Sequence, residues 1–428
     1  MSFRRIFLAF TLAAALGMFA FACGGGSSSS ATRPADDDGS PADDDGSPAD
    51  DDSSPSPAQP SCDAGKTLLL SAEGSLAAEQ FQQGLALDPN AANCRYGLTL
   101  ADCSTQCNTL SLLVTYITAA IAGYQPPTKG EPQTGQSFID DMVNIMLGNS
   151  YLNAANDAIV QAEWVRANAP DMIYPLAGLP IIFNFQQVAA PAGNFDLTDA
   201  VAAEAWSGAI GGLLSHLTTL NLDFELGVLF AFTKIDFSQS IDLVIGDIVN
   251  LALELFDNPL FPDFFTLTDN GAPFQAAGLM TGLGWLHASE TYSWMTKDSG
   301  DVATEVLGYA DLNGNHKWDA NEPLVVPPFG ALDAGADKVA WAAQGVFQHL
   351  ANSFLEYTPY DTDPGVPQPF KLSYLNPLLQ ALGLPALIPD TPLLEIDFGA
   401  AYHDANPTKL RDEIVAVLQI LHALFPGA

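Results

Sequence analysis

Through most of residues 61–428, apolar residues recur at three- and four-residue spacing, the period that buries one face of an α-helix. Ile241, Val244, Ile245, Ile248, Ala252, Leu255 and Phe256 form one such stripe, while Asp242, Asp247, Asn250 and Glu254 fall on the other side. Residues 138–166 predict a second long helix, with Met142, Ile145, Met146 and Leu152 inward. The last helix starts from Asn406 as cap and Pro407 in the first turn. It turns Leu410, Ile414, Val417, Leu418 and Leu421 inward. Strict alternation is rare, and residues 67–70 and Leu324–Val326 are the two weak strand candidates. Pro-rich connectors at 357–370 and 382–392 separate helical stretches. The pattern predicts an all-α, multi-helical body.

This periodicity is missing before residue 61. The unit Ala-Asp-Asp-Asp-Gly-Ser-Pro stands at 35–41, repeats at 42–48 and decays over 49–55. With almost no apolar side chains to bury, residues 23–60 are expected to be a disordered acidic linker. At about 3.1 Å per residue such a chain spans roughly 100 Å or less. It reads as a spacer; the sharper alternative makes each Asp triplet a weak calcium collector.

Ahead of the linker, Arg4 and Arg5 precede an apolar run over residues 6–22. This is the layout of a secretory signal, expected at 1–22. The run is short for a bilayer-spanning helix, which needs about 20 apolar residues. Ala20-Phe21-Ala22-Cys23-Gly24-Gly25-Gly26 resembles the lipobox of bacterial lipoproteins. That resemblance implies cleavage before Cys23, its acylation, and partnership with a membrane through the lipid; Gly24 after the cysteine resembles sorting to an outer membrane. An ordinary signal peptide or an uncleaved anchor is the alternative.

Charge narrows the partners. The formal net charge is −36, and losing Arg4 and Arg5 makes it two more negative. Nucleic-acid binders neutralise phosphates with Lys and Arg, so nucleic acid is excluded as a partner. Four cysteines follow Cys23: Cys62, Cys94, Cys103 and Cys107. Outside the cytoplasm they are disulfide candidates with three possible connectivities. If Cys94 and Cys103 share a helix they lie on opposite faces, which disfavours that pair.

Ala77-x3-Phe81-x2-Gly84-Leu85-x-Leu87-Asp88-Pro89-Asn90, then Leu98, resembles the second helix of a tetratricopeptide repeat and its successor. It covers only about 25 residues and no second full copy follows, so it implies a repeat-like helical hairpin within 61–125, ahead of a main helical domain at 126–428. With the acylated cysteine, the linker and the acidic helix entry at 193–199, the chain resembles uncharacterised lipoproteins of delta-proteobacterial type.

The most specific internal motif lies at 311–322 and resembles an EF-hand calcium loop. Oxygen-bearing side chains fall at Asp311, Asn313, Asn315, Asp319 and Glu322, and Lys317 would lend its backbone carbonyl. Alternate residues of a tight loop point inward, and a final Glu closes the shell of a hard cation. Residues 302–310 are expected to supply the incoming helix, whereas Pro323 opposes an exiting one. Calcium is the implied cofactor, structural in role. A looser echo places His216, His287 and His349 on three helices, as though to hold zinc. No nucleophile elbow, zinc-protease helix or phosphate loop is present. The expected role is therefore a non-catalytic, lipid-anchored interaction protein with a protein partner. A carrier of a hydrophobic ligand is the alternative, and a metal-dependent hydrolase stands further back.

Overall fold

The computed structural model describes residues 56–425 except 124–149, 184–185, 225–227, 229–230, 232–233, 237–238, 260, 269, 298–305, 316, 320–321 and 327–329. Cys23, the signal segment and nearly all of the acidic linker lie outside the described residues, as do residues 138–149 of the predicted helix at 138–166; the rest of that prediction is helical.

Three helices open the body: α1 (Gln59–Leu70), α2 (Gly74–Leu87) and α3 (Ala92–Gly123). Helix α1 begins with Pro60 in its first turn, where a missing N–H costs nothing, so helix starts two residues before the predicted boundary. Residues 67–70 end α1 and are not a strand; Cys62, Gly65 and Leu69 bury one helical face there. Phe81 of α2 is fully buried between glycines of both neighbours. A Cβ at Gly65 would lie 2.8 Å from its ring, and one at Gly97 only 2.3 Å. A disulfide joins Cys62 of α1 to Cys94 of α3, with 5.0 Å between the Cα atoms. Cys103 and Cys107 correct the expectation for the other two candidates: both are buried thiols outside any disulfide, one turn apart on α3.

The centre of the molecule is the crossing of α5 (Leu197–Thr219) and α7 (Ala272–Met295). Helix α5 is buried on nearly every side because its surface is alanine, glycine and serine. A Cβ at Gly284 would stand 1.9 Å from the Ala209 nitrogen, and one at Gly212 2.5 Å from the Thr281 nitrogen. Backbone meets backbone there. The acidic entry to α5 is a capping box: Asp196 accepts from the Thr198 N–H at 2.8 Å, and Asp199 from the Asp196 N–H at 3.0 Å. Tyr96 of α3 donates its hydroxyl to the Asp196 carbonyl, tying the front helices to this cap.

Around the crossing pack α4 (Leu152–Asn168), against α3 and α5, and α8 (Ala334–Leu355), against α7. Helices α6 (Ile241–Phe256), α9 (Asn376–Ala381), α10 (Phe398–His403) and α11 (Pro407–Leu424) complete the described helices. Val244 of the predicted α6 stripe is buried, but Ile248 is not and Val249 takes the inward place. Asn406 caps α11 through the Lys409 N–H at 3.0 Å, with Leu410 and Val417 buried as the periodicity required. Strands are short antiparallel pieces, β1 (Tyr174–Leu176) with β4 (Gly193–Phe195), β2 (Ile181–Phe183) with β3 (Gln186–Ala189), and β8 (Phe370–Lys371) with β9 (Glu395–Ile396). The body is all-α. Among the described residues no helix is long and apolar enough to cross a membrane.

Candidate calcium loop and a buried ionic cluster

The loop at 311–322 joins β5 (Gly308–Tyr309) to β6 (Leu324–Val326), which also pairs with β7 (Gly330–Ala331). Among the described residues no incoming helix precedes it: 302–305 lie outside them, and the chain bends at Val306 and Leu307 and then forms β5. The buried Val325 and Val326 after Pro323 favour an extended pair over a helix. The Ala310 N–H donates to the Pro323 carbonyl at 2.9 Å and closes the neck of the loop.

Within it, Asp311 Oδ1 accepts from the Gly314 N–H at 2.7 Å and the Asn315 N–H at 3.2 Å. Gly314, at φ 72°, makes the turn that a side chain would strain. Asn313 and Asn315 each accept the N–H two residues on, at 3.0 and 2.7 Å. Their amide nitrogens converge on Asp319 Oδ2, at 2.7 and 3.1 Å. Glu322 is 1% exposed. Its Oε1 accepts from the Leu312 N–H and its Oε2 from the Asp319 N–H, each at 2.9 Å, so one carboxylate spans both arms. Trp318 donates to the Glu322 carbonyl at 2.9 Å and lies 5.4 Å from Trp341, which seats the loop on α8. Lys317 is exposed, and position 316 lies outside the described residues.

The donors are hard oxygens, the class calcium takes. They are mixed amides and carboxylates: among the described residues, no group of three or more His, Cys, Asp or Glu is arranged to hold a metal ion. This also corrects the zinc expectation, because each histidine has its own surroundings. His216 packs against Phe274 and Tyr402 at 5.6 and 5.2 Å, and burial lowers its pKa to about 4. His349 stacks on Tyr374 at 3.6 Å.

His287 belongs to a cluster that the sequence did not announce. Glu204 of α5, with no exposed side-chain surface, lies 3.3 Å from Arg166 of α4 and 3.5 Å from His287 Nε2 of α7. The other ring nitrogen of His287 faces Glu290 at 3.0 Å. Neither Glu204 oxygen has a hydrogen-bond partner. Burial pushes its pKa up to about 7, against the pull of His287 and Arg166. The available signal was one acid alone in Ala202-Ala203-Glu204-Ala205-Trp206, inside a helix without a polar face.

Two clefts lie elsewhere. One of about 230 Å³ is lined by Leu279, Phe354, Tyr357 and Tyr402, and one of about 320 Å³ by Cys62, Asp88 and Met172. Both sit at or below the lower end of the range typical of small-molecule sites, about 300–1,000 Å³. Comparison with protein-family models, curated proteins and solved structures gives no match for this chain.

Proposed function

We propose that this is a lipid-anchored cell-envelope protein, acylated at Cys23 and held at the outer membrane. Its helical body acts non-catalytically, through a protein partner, and carries a structural calcium ion in the loop at 311–322. The observation that supports the calcium reading is the arrangement of Glu322. A nearly fully buried carboxylate ends a run of oxygen donors and holds both arms of the loop through N–H groups.

Asp311, Asn313, Asn315, Asp319 and Glu322 would hold the ion, with the Lys317 carbonyl. Bound calcium supplies a crosslink between the arms, and three carboxylates set a modest Kd of about 10⁻⁴–10⁻³ M. The protein's own residues fix the loop beforehand: Gly314 turns it, the two asparagine turns stiffen it, and Trp318 roots it on α8. A structural ion so placed braces the β5–β6 hairpin and not a substrate.

The anchor and the ion are tested separately on the full-length chain. Labelled palmitate should enter the wild type and not Cys23→Ala; equal incorporation would overturn the anchor. Calcium should change tryptophan emission through the Trp318–Trp341 pair in the wild type and not in Asp311→Ala. An unresponsive wild type would overturn the ion.

A further inference from the structure

The Arg166 guanidinium and the His287 imidazole flank the Glu204 carboxylate, yet neither meets it in hydrogen-bond geometry. An ionised carboxylate so deeply buried is costly unless paired and hydrogen-bonded, and the unfolded chain would hydrate it. Three helices supply the charged groups around it. Helix α4 brings Arg166 and Glu163, α7 brings His287 and Glu290, and Lys297 lies beyond Glu290. Helix α3 also packs on α5, but meets it through Gln106 and Ser207 at 2.9 Å, while its Asp102 works against Asp157 of α4.

We infer that Arg166, Glu204, His287 and Glu290 form a proton-gated clasp at the junction of α4, α5 and α7. A neutral Glu204 acid closes the junction, and loss of its proton leaves a buried anion that loosens the packing. The step is a simple ionisation: the proton leaves Glu204 for solvent and the carboxylate stays behind. Arg166 and Glu290, about a third and two-fifths exposed, give the junction its contact with water.

The sign follows from linkage. Between the ordinary glutamate value of 4.5 and about 7, the folded chain holds a proton that the unfolded chain does not. Stability from this group is therefore full at acidic pH and is lost as pH rises through about 7. Glu290 acts oppositely. Its hydrogen bond to His287 lowers its pKa, so its contribution is lost on acidification. The device would make the junction tighter in mildly acidic surroundings than at neutral or alkaline pH.

Hydrogen exchange on the full-length chain, corrected for intrinsic rates, tests this. Slow amides of α4, α5 and α7 that exchange through opening of the junction should lose about tenfold in protection between pH 6 and pH 8.5. Glu204→Gln keeps the shape of the neutral acid, and its protection should change less than twofold across the same range. A variant that keeps the wild-type slope would overturn the clasp. Should that variant not fold, carboxyl ¹³C titration of the wild type decides. One glutamate with a midpoint above 6 supports the clasp, and its absence refutes it.

Discussion

Two glycine substitutions of identical chemistry should change stability in opposite directions. Gly284 lies in α7 at its crossing with α5, and Gly345 lies in α8. A Cβ at 284 would stand 1.9 Å from the Ala209 nitrogen and 2.3 Å from the Gly208 carbonyl carbon. Comfortable separations are about 3.5–4.0 Å, so the helices must part by roughly 1.5 Å. Backbone atoms cannot swing aside as a flexible side chain would. Overpacking of this kind costs about 1–3 kcal/mol and sometimes more, and the upper end applies where backbone meets backbone. The better helix propensity of alanine returns about 1 kcal/mol. Gly284→Ala should thus lose at least about 2 kcal/mol, lowering Tm by roughly 2–4 °C in a body of this size. A Cβ at 345 meets nothing within 4 Å. Gly345→Ala should gain about 0.8–1 kcal/mol and raise Tm by roughly 1 °C. Circular dichroism melts of the full-length proteins measure both. Shifts of the same sign, or a Gly284→Ala within a degree of wild type, would refute the close crossing.

Further outcomes follow from other contacts. Replacing Cys62 and Cys94 with serine opens a loop spanning a sequence separation of 32 residues and should cost roughly 3–4 kcal/mol in a urea titration. Thiol reagents should reach Cys103 and Cys107 only on unfolding, because both are buried and burial pushes the Cys103 thiol up to about 12. His216 is neutral in the fold down to about 4, so unfolding takes up a proton between there and 6.5, and stability falls on acidification through that window. His216→Phe should remove roughly 3 kcal/mol of that loss, read as a flatter Tm against pH. Glu322→Ala leaves the Leu312 and Asp319 N–H groups without their acceptor and should cost roughly 2–5 kcal/mol.

Helical spacing carried the architecture because it needs only local information. The cap at Asn406, the inward Leu410 and Val417, and the acidic entry to α5 were all readable in the chain. The strand at Leu324–Val326 was readable too, from its run of apolar and β-branched residues. Residues 67–70 misled because an apolar run of four fits the end of a helix as well as a strand. Where it is described, the segment before Asp311 is a strand for a tertiary reason: Tyr309 of β5 pairs with Leu324 of β6, fifteen residues further on and beyond the loop. Long-range pairing left no mark either for Glu204, whose partners sit 38 residues before it and 83 after it. Of the four body cysteines, only packing decided the pairing; Phe81 draws α1 and α3 together over α2, and Cys62 then faces Cys94.

The calcium loop is the central proposal, and ligand linkage tests it most directly. The measurement is the Tm of the full-length chain without calcium and at 10 mM calcium, beside Asp311→Ala. With Kd at about 10⁻⁴–10⁻³ M, 10 mM calcium should add roughly 1.4–2.7 kcal/mol, a rise of about 2–4 °C in a body of this size. The account predicts that rise in the wild type and none in Asp311→Ala. A wild-type melt that calcium leaves unmoved, or an equal rise in the variant, would contradict it.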